Sequence, residues 1–461
     1  MSETAEGGHD RRMLRGPHHG WAVVRALSRG VVTASAREKR VYVIAGEASG
    51  DAIGAKVIAA LRRKETAENG GKTVVFRGIG GAQMAKAGDF SSLFPMEELS
   101  VMGLVEVLPY LWRFKRRIAE TVEDIRAFKP DVVLTIDSKG FTFRVLKALQ
   151  ADAELSDSPK RMHYVAPSVW AYKHRQANRN FDGLAKLLHK MFVILPFEEA
   201  IFTGSTPSNN TRWCQFVGHP AVEDFLEFHG MYDATKTQTD LDNSAPVSLD
   251  VSPGGLLKMM ELDATKLHKQ GAILQRLRSS RRTDPCEERK RLGIPVDAFV
   301  VCALVGSREN EVRRTIRTVL EAVDELQRPS ERLVKTSIGV PMKLTPLTGA
   351  SCVVKRPVHV VFPTISAVRS IVQQEIDKFC TDSGASSESF QVIVDADSSD
   401  RIGLFNSADA AVAVSGTIVM ETTLTNLPTV VIYRANRITE MVAKRLSAVG
   451  FVSIPNLLLG R

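Results

Sequence analysis

The chain is predicted to be an α/β protein made of two doubly wound parallel sheets. Three observations predict it. Short, continuously apolar runs alternate with helix-like stretches along most of the 461 residues, the pattern of strands buried on both faces and covered by helices. Several of those runs stop at Gly, Ser or Asp directly before a helix-like stretch, as at Gly46-Glu47-Ala48-Ser49-Gly50-Asp51. Finally, the series breaks after Phe228 into a polar stretch of weak periodicity and then begins again.

The first series opens with Val41-Tyr42-Val43-Ile44-Ala45, a strand of β-branched and small apolar residues, followed by an Ala/Ile/Leu-rich helix to about Arg63. Gly46 and Gly50 permit a tight turn and close approach of a ligand, and Ser49 or Asp51 can cap the helix. The first strand–turn–helix is where doubly wound sheets hold ligands. Glu47, Ser49, Gly50 and Asp51 are therefore candidate ligand contacts, with a capped, ligand-free turn as the alternative. Residues 73–81 form a strand running into the turn Gly78-Ile79-Gly80-Gly81, and a helical stretch follows at 82–87. Residues 96–111 are apolar and lead into a basic helix at 113–128. Asp131-Val132-Val133-Leu134-Thr135-Ile136-Asp137 is a strand ending in a carboxylate. Further strands fall at 162–165, 191–195 and 214–217.

Residues 229–289 are polar and weakly periodic, an insertion or linker with one helix near 264–277. The second series starts with a strand at 298–305 that ends at Gly306-Ser307-Arg308, before a helix at 311–326. After an irregular stretch at 329–357, strands fall at 358–362, 391–394, 410–414 and 429–433. The domains are thus 41–228 and 290–461, both Rossmann-like, behind an N-terminal stretch at 1–40. This arrangement is similar to that of GT-B glycosyltransferases and related sugar-nucleotide epimerases, whose chemistry takes place in the cleft between the halves.

An apolar fraction of 44% and a charged fraction of 25% exclude a disordered or membrane-spanning class. No apolar run approaches the roughly 18 residues that a spanning helix needs. The net charge of +9 suits an anionic partner. The interleaved aromatic and basic residues of a nucleic-acid module are absent, so nucleic acid is not an expected partner. Cys214, Cys286, Cys302, Cys352 and Cys380 make no Cys-x-x-Cys pair and read as free thiols of a reducing compartment. From Arg11 to Arg37 there are six arginines and no acidic residue, the composition of a mitochondrial transit peptide; a basic disordered tail is the alternative.

Transfer of a sugar from a nucleotide diphosphate needs a base for the acceptor hydroxyl and a cradle for the departing phosphates. Asp137, at the end of its strand, is the candidate base; its other reading is an N-cap for the next helix. Gly306-Ser307-Arg308 brings backbone N–H groups, a hydroxyl and a guanidinium toward one anion. Ser415-Gly416-Thr417 lies likewise between a strand and a helix, and Glu421, one turn in, can accept from ribose hydroxyls. Both turns can equally be capped turns. Fixed positive groups can replace a divalent ion at the leaving diphosphate, so neither a metal nor another cofactor is expected. Trp170 and Tyr172 can stack on a sugar or fill core, and His163 and His219 read first as structural.

These segments together resemble the lipid-A-disaccharide synthase family, inverting GT-B enzymes. The resemblance is carried by the turns above with Leu99-Ser100-Val101-Met102-Gly103-Leu104-Val105-Glu106-Val107-Leu108, His163-Tyr164-Val165-Ala166-Pro167-Ser168-Val169-Trp170-Ala171 and Leu195-Pro196-Phe197-Glu198. Val217-Gly218-His219-Pro220, Tyr433-Arg434 and Pro455-Asn456-Leu457-Leu458 complete it. It implies transfer of a diacylated glucosamine from its UDP derivative to 2,3-diacylglucosamine 1-phosphate, forming a β-1,6 disaccharide and releasing UDP. It implies that Asp137 and Arg308 are catalytic and that Gly306, Ser307, Ser415, Gly416, Thr417, Glu421 and Asn456 face the UDP. It also implies a peripheral membrane surface at Val101, Met102, Leu104, Val105, Leu108, Leu111 and Trp112, beside the basic run Arg113-Phe114-Lys115-Arg116-Arg117.

Three departures stand out. Val305 takes the place where the family has Pro, and the insertion after Phe228 is long, which with the basic N-terminus points to a eukaryotic organellar version. The chain stops at Arg461, where family members continue with helices that complete the second domain and exchange between the subunits of a homodimer. A shortened isoform that binds lipid or a partner without turnover is the alternative function, and another UDP-sugar transferase or epimerase is the enzyme rival.

Overall fold

A computed structural model of the chain describes residues 38–68, 74–99, 111–168, 181–203, 213–229, 284–327, 334–335, 341–342, 356–434, 445 and 453–459. They form two compact units. Among these residues the first unit runs to Glu223, and the second takes 224–229 and everything from 284 onward.

In the first unit, β1 (Lys39–Ala45), β2 (Val74–Ile79), β3 (Ser91–Ser92), β4 (Val132–Ile136), β5 (Lys160–Tyr164), β6 (Lys190–Val193) and β7 (Cys214–Phe216) form one sheet in the order β3-β2-β1-β4-β5-β6-β7. Every pairing is parallel. Its helices are α1 (Ala48–Glu68), α2 (Ala82–Ala87), α3 (Leu111–Phe128), α4 (Lys139–Ala151), α5 (Asp182–Leu187) and α6 (Pro196–Thr203), and the chain leaves the unit within α7 (Pro220–Phe228). Val41, Tyr42, Val43, Ile44 and Ala45 are all buried, as a central parallel strand covered on both faces requires. The winding direction reverses between β1 and β4, the switch point at which such sheets bind ligands.

Local chemistry explains where these helices begin and how they dock. Pro196 opens α6, where its missing N–H costs nothing, and Glu198 reaches back to accept from the Leu195 N–H at 3.0 Å. Asp124 fastens α3 to the sheet by accepting from the Tyr42 hydroxyl at 2.8 Å and from the Arg77 guanidinium at 2.9 Å.

In the second unit, β8 (Phe299–Leu304), β11 (Val358–Thr364), β12 (Phe390–Val394), β13 (Ala410–Val414) and β14 (Thr429–Ile432) pair in parallel in the order β12-β11-β8-β13-β14. The reversal here lies between β8 and β13. The helices are α8 (Pro285–Arg291), α9 (Glu309–Gln327), α10 (Ser366–Ser383), α11 (Ser398–Ser407), α12 (Ile418–Leu424) and α13 (Ile454–Leu459). Along β8 the side chains divide by twos. Val301, Ala303 and Val305 pack with Val312, Ile316 and Leu320 of α9, and Val300, Cys302 and Leu304 pack with Leu404, Phe405 and Val419 from the opposite face. That division places helices on both faces of the sheet.

Within the polar stretch 229–289, α8 is fastened to the second unit. Buried Arg289 donates to the carbonyls of Ser407 and Ala298 at 2.9 and 3.0 Å and to Asp409 at 2.9 Å. The stretch at 329–357 contains a small antiparallel pair, β9 (Val334–Lys335) with β10 (Pro341–Met342). Two-residue strands have no periodicity for a sequence to display. The helix expected near 264–277 lies outside the described residues.

Candidate active site

Parallel strands discharge their connecting turns along one edge of each sheet. In the first unit the last paired residues of β1 and β4 are Ala45 and Ile136. Gly46 and Asp137, one step further on, therefore begin adjacent turns at the switch point. A Cβ added to Gly46 would come within 2.7 Å of the Ser138 Cβ, so the β1 turn stays this close only as glycine. Asp137 and Ser138 are both left-handed, with φ of 45° and 46°, a conformation that costs about 1 kcal/mol or more for each non-glycine residue.

The surroundings hold them there. The Asp137 N–H donates to the Tyr164 carbonyl at 2.9 Å, and the Phe141 and Thr142 N–H groups donate to the Ser138 carbonyl at 2.9 and 3.1 Å. The Thr142 hydroxyl donates to the Asp137 carbonyl at 2.9 Å. The N-cap position of α4 belongs to Ser138, whose side chain makes no capping bond. At the next exit Val165 has φ of 71°, unfavourable for a β-branched residue. Backbone strain of this kind gathers at functional sites.

The capping expectation for the first turn needs correcting. Ser49 and Asp51 lie inside α1 rather than at its cap. Asp51, 4% exposed, instead accepts from the N–H groups of Gly81, Gln83 and Met84 at 2.8, 3.0 and 3.0 Å. It caps α2 from a neighbouring helix, because that helix begins at Gly80-Gly81 and has no capping side chain of its own. Gly50 packs against β1, with a Cβ there meeting Ala45 at 3.3 Å. Glu47 and Ser49 are half-buried at this edge.

In the second unit the last paired residues of β8 and β13 are Leu304 and Ala413. Gly306 and Ser415 each lie two residues beyond, so the two turns singled out for phosphate flank the same switch point. Gly306 has φ of 106°, and a Cβ there would come within 2.6 Å of the Glu311 carboxylate. That carboxylate accepts from the Ser307 N–H at 3.3 Å and from the Arg308 guanidinium at 2.5 Å. Two of the donors assigned to an anion, this N–H and this guanidinium, thus meet on a carboxylate of the same turn. Across the switch point, a Cβ on Gly416 would meet nothing within 4 Å. Thr417 holds the N-cap position of α12 without a side-chain cap bond. Glu421 receives the Arg401 guanidinium on both oxygens, at 2.9 and 3.3 Å.

Sequence reasoning missed Glu311, Arg401 and the part played by Ser138. Glu311 was legible as an acidic residue in the first turn of a helix, whereas nothing around Arg401 marks it. Asn456 is exposed in α13, its N–H donating to the Ser453 hydroxyl at 3.3 Å. His163 is fully buried, with Nδ1 2.8 Å from the Thr135 hydroxyl, and burial pulls its pKa down to about 4. A neutral, enclosed imidazole is structural. His219 Nδ1 accepts from the Ala221 N–H at 3.2 Å at the start of α7.

Trp170 and Tyr172 lie outside the described residues, as do Val101, Met102, Leu104, Val105 and Leu108. Leu111 opens α3, and Trp112 beside it is 85% exposed, with the Lys115 ammonium 5.7 Å from its ring. Arg113 and Arg117 are held by Glu98, at 3.2 and 2.8 Å. Burial opposes the charge on Glu98, but these guanidinium groups outweigh it and hold the carboxyl below its usual pKa. Lys115 and Arg116 are exposed on the same helix. No described helix is long and apolar enough to cross a membrane.

Residues 41–256 and 353–461 match the family described as lipid-A-disaccharide synthetase. The chain belongs to that family. It is therefore a glycosyltransferase. Both turns of the first switch point and the Ser415 turn of the second fall inside the matched segments, and Gly306-Ser307-Arg308 falls between them. The lipid-A-disaccharide synthase of Granulibacter bethesdensis is 33% identical over 421 residues, 91% of this chain and 79% of that protein. An Arabidopsis thaliana protein named as a probable mitochondrial lipid-A-disaccharide synthase is 30% identical over 426 residues, 92% of this chain and 74% of its own length. The crystal structure of a UDP-GlcNAc 2-epimerase from Neisseria meningitidis bound to UDP-GlcNAc is 14% identical, with a TM-score of 0.44 over 92% of this chain and 89% of that one. A likeness that distant says nothing about any residue's role.

Proposed function

We propose that the chain transfers 2,3-diacylglucosamine from its UDP derivative to 2,3-diacylglucosamine 1-phosphate. The acceptor's 6-hydroxyl oxygen attacks the anomeric carbon of the donor, the bond from that carbon to the diphosphate breaks, and UDP leaves with the electron pair. Configuration inverts, giving the β-1,6 disaccharide. Asp137 takes the acceptor proton. The Ser307 N–H and the Arg308 guanidinium exchange the Glu311 carboxylate for the diphosphate, the Ser415-Gly416-Thr417 turn shares its charge, and Glu421 accepts from the ribose.

The observation that carries this reading is that Gly306 and Ser415 open neighbouring turns at one switch point, while Gly46 and Asp137 do so in the first unit. Glu47, Ser49 and Asn456 are proposed to contact substrate; Gly50 and Asp51 support them by shaping the backbone. The acyl chains call for a lipid surface. Trp112, with Lys115 and Arg116, is suited to sit at an anionic interface, and the segment 101–111 is proposed to belong to the same surface. A mitochondrial location, with residues 1–40 as the transit segment, and a homodimer complete the proposal.

The test is a transfer assay on purified protein with both lipid substrates. Asp137→Asn should abolish disaccharide formation and leave UDP affinity close to wild type. Full activity in that variant would remove Asp137 from its role. UDP release that needs no acylated acceptor would favour a different UDP-sugar enzyme.

A further inference from the structure

We propose that Glu311 is a tethered competitor for the departing diphosphate. Its carboxylate holds anion-binding donors of the empty protein, so UDP binds less tightly than those donors allow and leaves as the carboxylate returns. The inference deepens the proposed role of the Gly306-Ser307-Arg308 turn and rests on it.

Glycine at 306 clears space in which an anion could approach the backbone closely, and Glu311 fills that space. A Cβ on Gly306 would come within 2.6 Å of a Glu311 carboxylate oxygen and 2.7 Å of its Cβ. The carboxylate accepts from the Ser307 N–H at 3.3 Å and from the Arg308 guanidinium at 2.5 Å. Arg308 is 13% exposed and Glu311 26%, so the more exposed member of the pair neutralises a largely enclosed cation. Other bonds hold the shape of the turn. The buried Thr315 hydroxyl is shared between the carbonyls of Val305 and Glu311, at 3.0 and 2.7 Å. The Val312 N–H donates to the Arg308 carbonyl at 3.0 Å. None of these uses the Glu311 carboxylate, which can therefore swing out without unwinding α9.

A carboxylate carries a single negative charge, whereas a diphosphate carries more and can meet a guanidinium with parallel bonds. The tether gives the carboxylate a high effective concentration, so a dilute monoanion does not displace it and a diphosphate does. Apparent affinity falls with the fraction of molecules whose donors are open, and about one open molecule in ten lowers it about tenfold. The other role open to Glu311 is to cap α9, accepting from an N–H just before the helix. Glutamine caps as well as glutamate does but brings no charge, which separates the two roles.

The experiment measures binding of UDP and of inorganic diphosphate to the full chain, to Glu311→Gln, Glu309→Gln and Arg308→Gln, and to the Arg308→Gln, Glu311→Gln double variant. Glu309→Gln is the control: it removes the same charge from the same helical turn, where the carboxylate pairs with Arg313 at 2.9 Å. Glu311→Gln should bind both ligands about tenfold tighter, while Glu309→Gln stays within about twofold of wild type. Inhibition of transfer by product UDP should grow in Glu311→Gln to match. In Arg308→Gln, which should bind UDP weakly, the Glu311 substitution should add little. Unchanged or weaker binding by Glu311→Gln overturns the inference, leaving Glu311 as a cap and the role of the turn standing. Equal tightening in Glu309→Gln, or tightening that persists in full without Arg308, also overturns it, since either marks a general field effect. UDP affinity untouched by Arg308→Gln, or no UDP binding by any of these proteins, removes the role of the turn and this inference with it.

Discussion

Ser138 occupies the space that a side chain on Gly46 would need. The two residues belong to turns at the exits of neighbouring strands, and Ser138 adjoins the proposed base Asp137. Close approach of these turns depends on glycine at one and a left-handed residue at the other. Gly46→Ala should therefore push Ser138 away and carry Asp137 with it. Because a misplacement of about 1 Å can cost on the order of a hundredfold in rate, transfer should fall far more than the melting temperature does. A variant with normal turnover would show that the contact does not set the position of Asp137.

Asp51 holds three N–H groups of another helix from a nearly closed site. Replacing it by Ala leaves those donors without their acceptor, at a cost of about 2 kcal/mol or more. Urea denaturation should show the loss as a lower midpoint with an unchanged slope. Asp51→Asn should recover part of it, since the amide oxygen still accepts.

At the start of α3, the helix that carries Trp112, Glu98 pairs with both Arg113 and Arg117. Glu98→Gln removes one negative charge from this basic end of α3 and should tighten binding to vesicles containing anionic lipid, by several-fold at about 1 kcal/mol per charge near the surface. Trp112→Ala should weaken it. Sedimentation with liposomes of defined anionic content measures both, and high salt should erase the Glu98 effect. Equal binding by all three proteins would place the membrane surface elsewhere.

His163 gives the fold a dependence on pH. Burial lowers its pKa from the usual 6.5 to about 4, so the unfolded chain takes up a proton that the folded one refuses. Stability tied to this residue is whole above pH 6.5, falls as pH drops below that value, and is fully lost once pH passes about 4. The slope approaches about 1 kcal/mol per pH unit within that window. His163→Gln, which keeps a hydrogen-bonding group beside Thr135, should flatten the dependence of the denaturation midpoint between those limits. A profile identical to wild type would assign the acid sensitivity to other groups.

The strand runs were plain in the chain because a strand covered on both faces is made of consecutive apolar residues, and β1, β4, β8 and β13 follow theirs closely. The turns were plain too: Gly46, Asp137, Gly306 and Ser415 each interrupt such a run directly before a helix. These are local properties, fixed by neighbours in the chain.

What those turns stand beside is another matter. Two strand orders, each reversing once, bring Gly46 to Asp137 and Gly306 to Ser415, and no local pattern encodes which crossover lands next to which strand. The same holds for Asp51 capping a helix other than its own and for Arg401 bracing Glu421. A capping carboxylate looks alike whichever helix it serves, and an arginine on a helix surface is unremarkable until folding supplies its partner. The residue types and the breaks between elements were written in the sequence. Their partners were chosen by packing, because hydrogen-bond geometry between distant segments exists only once the sheet is assembled.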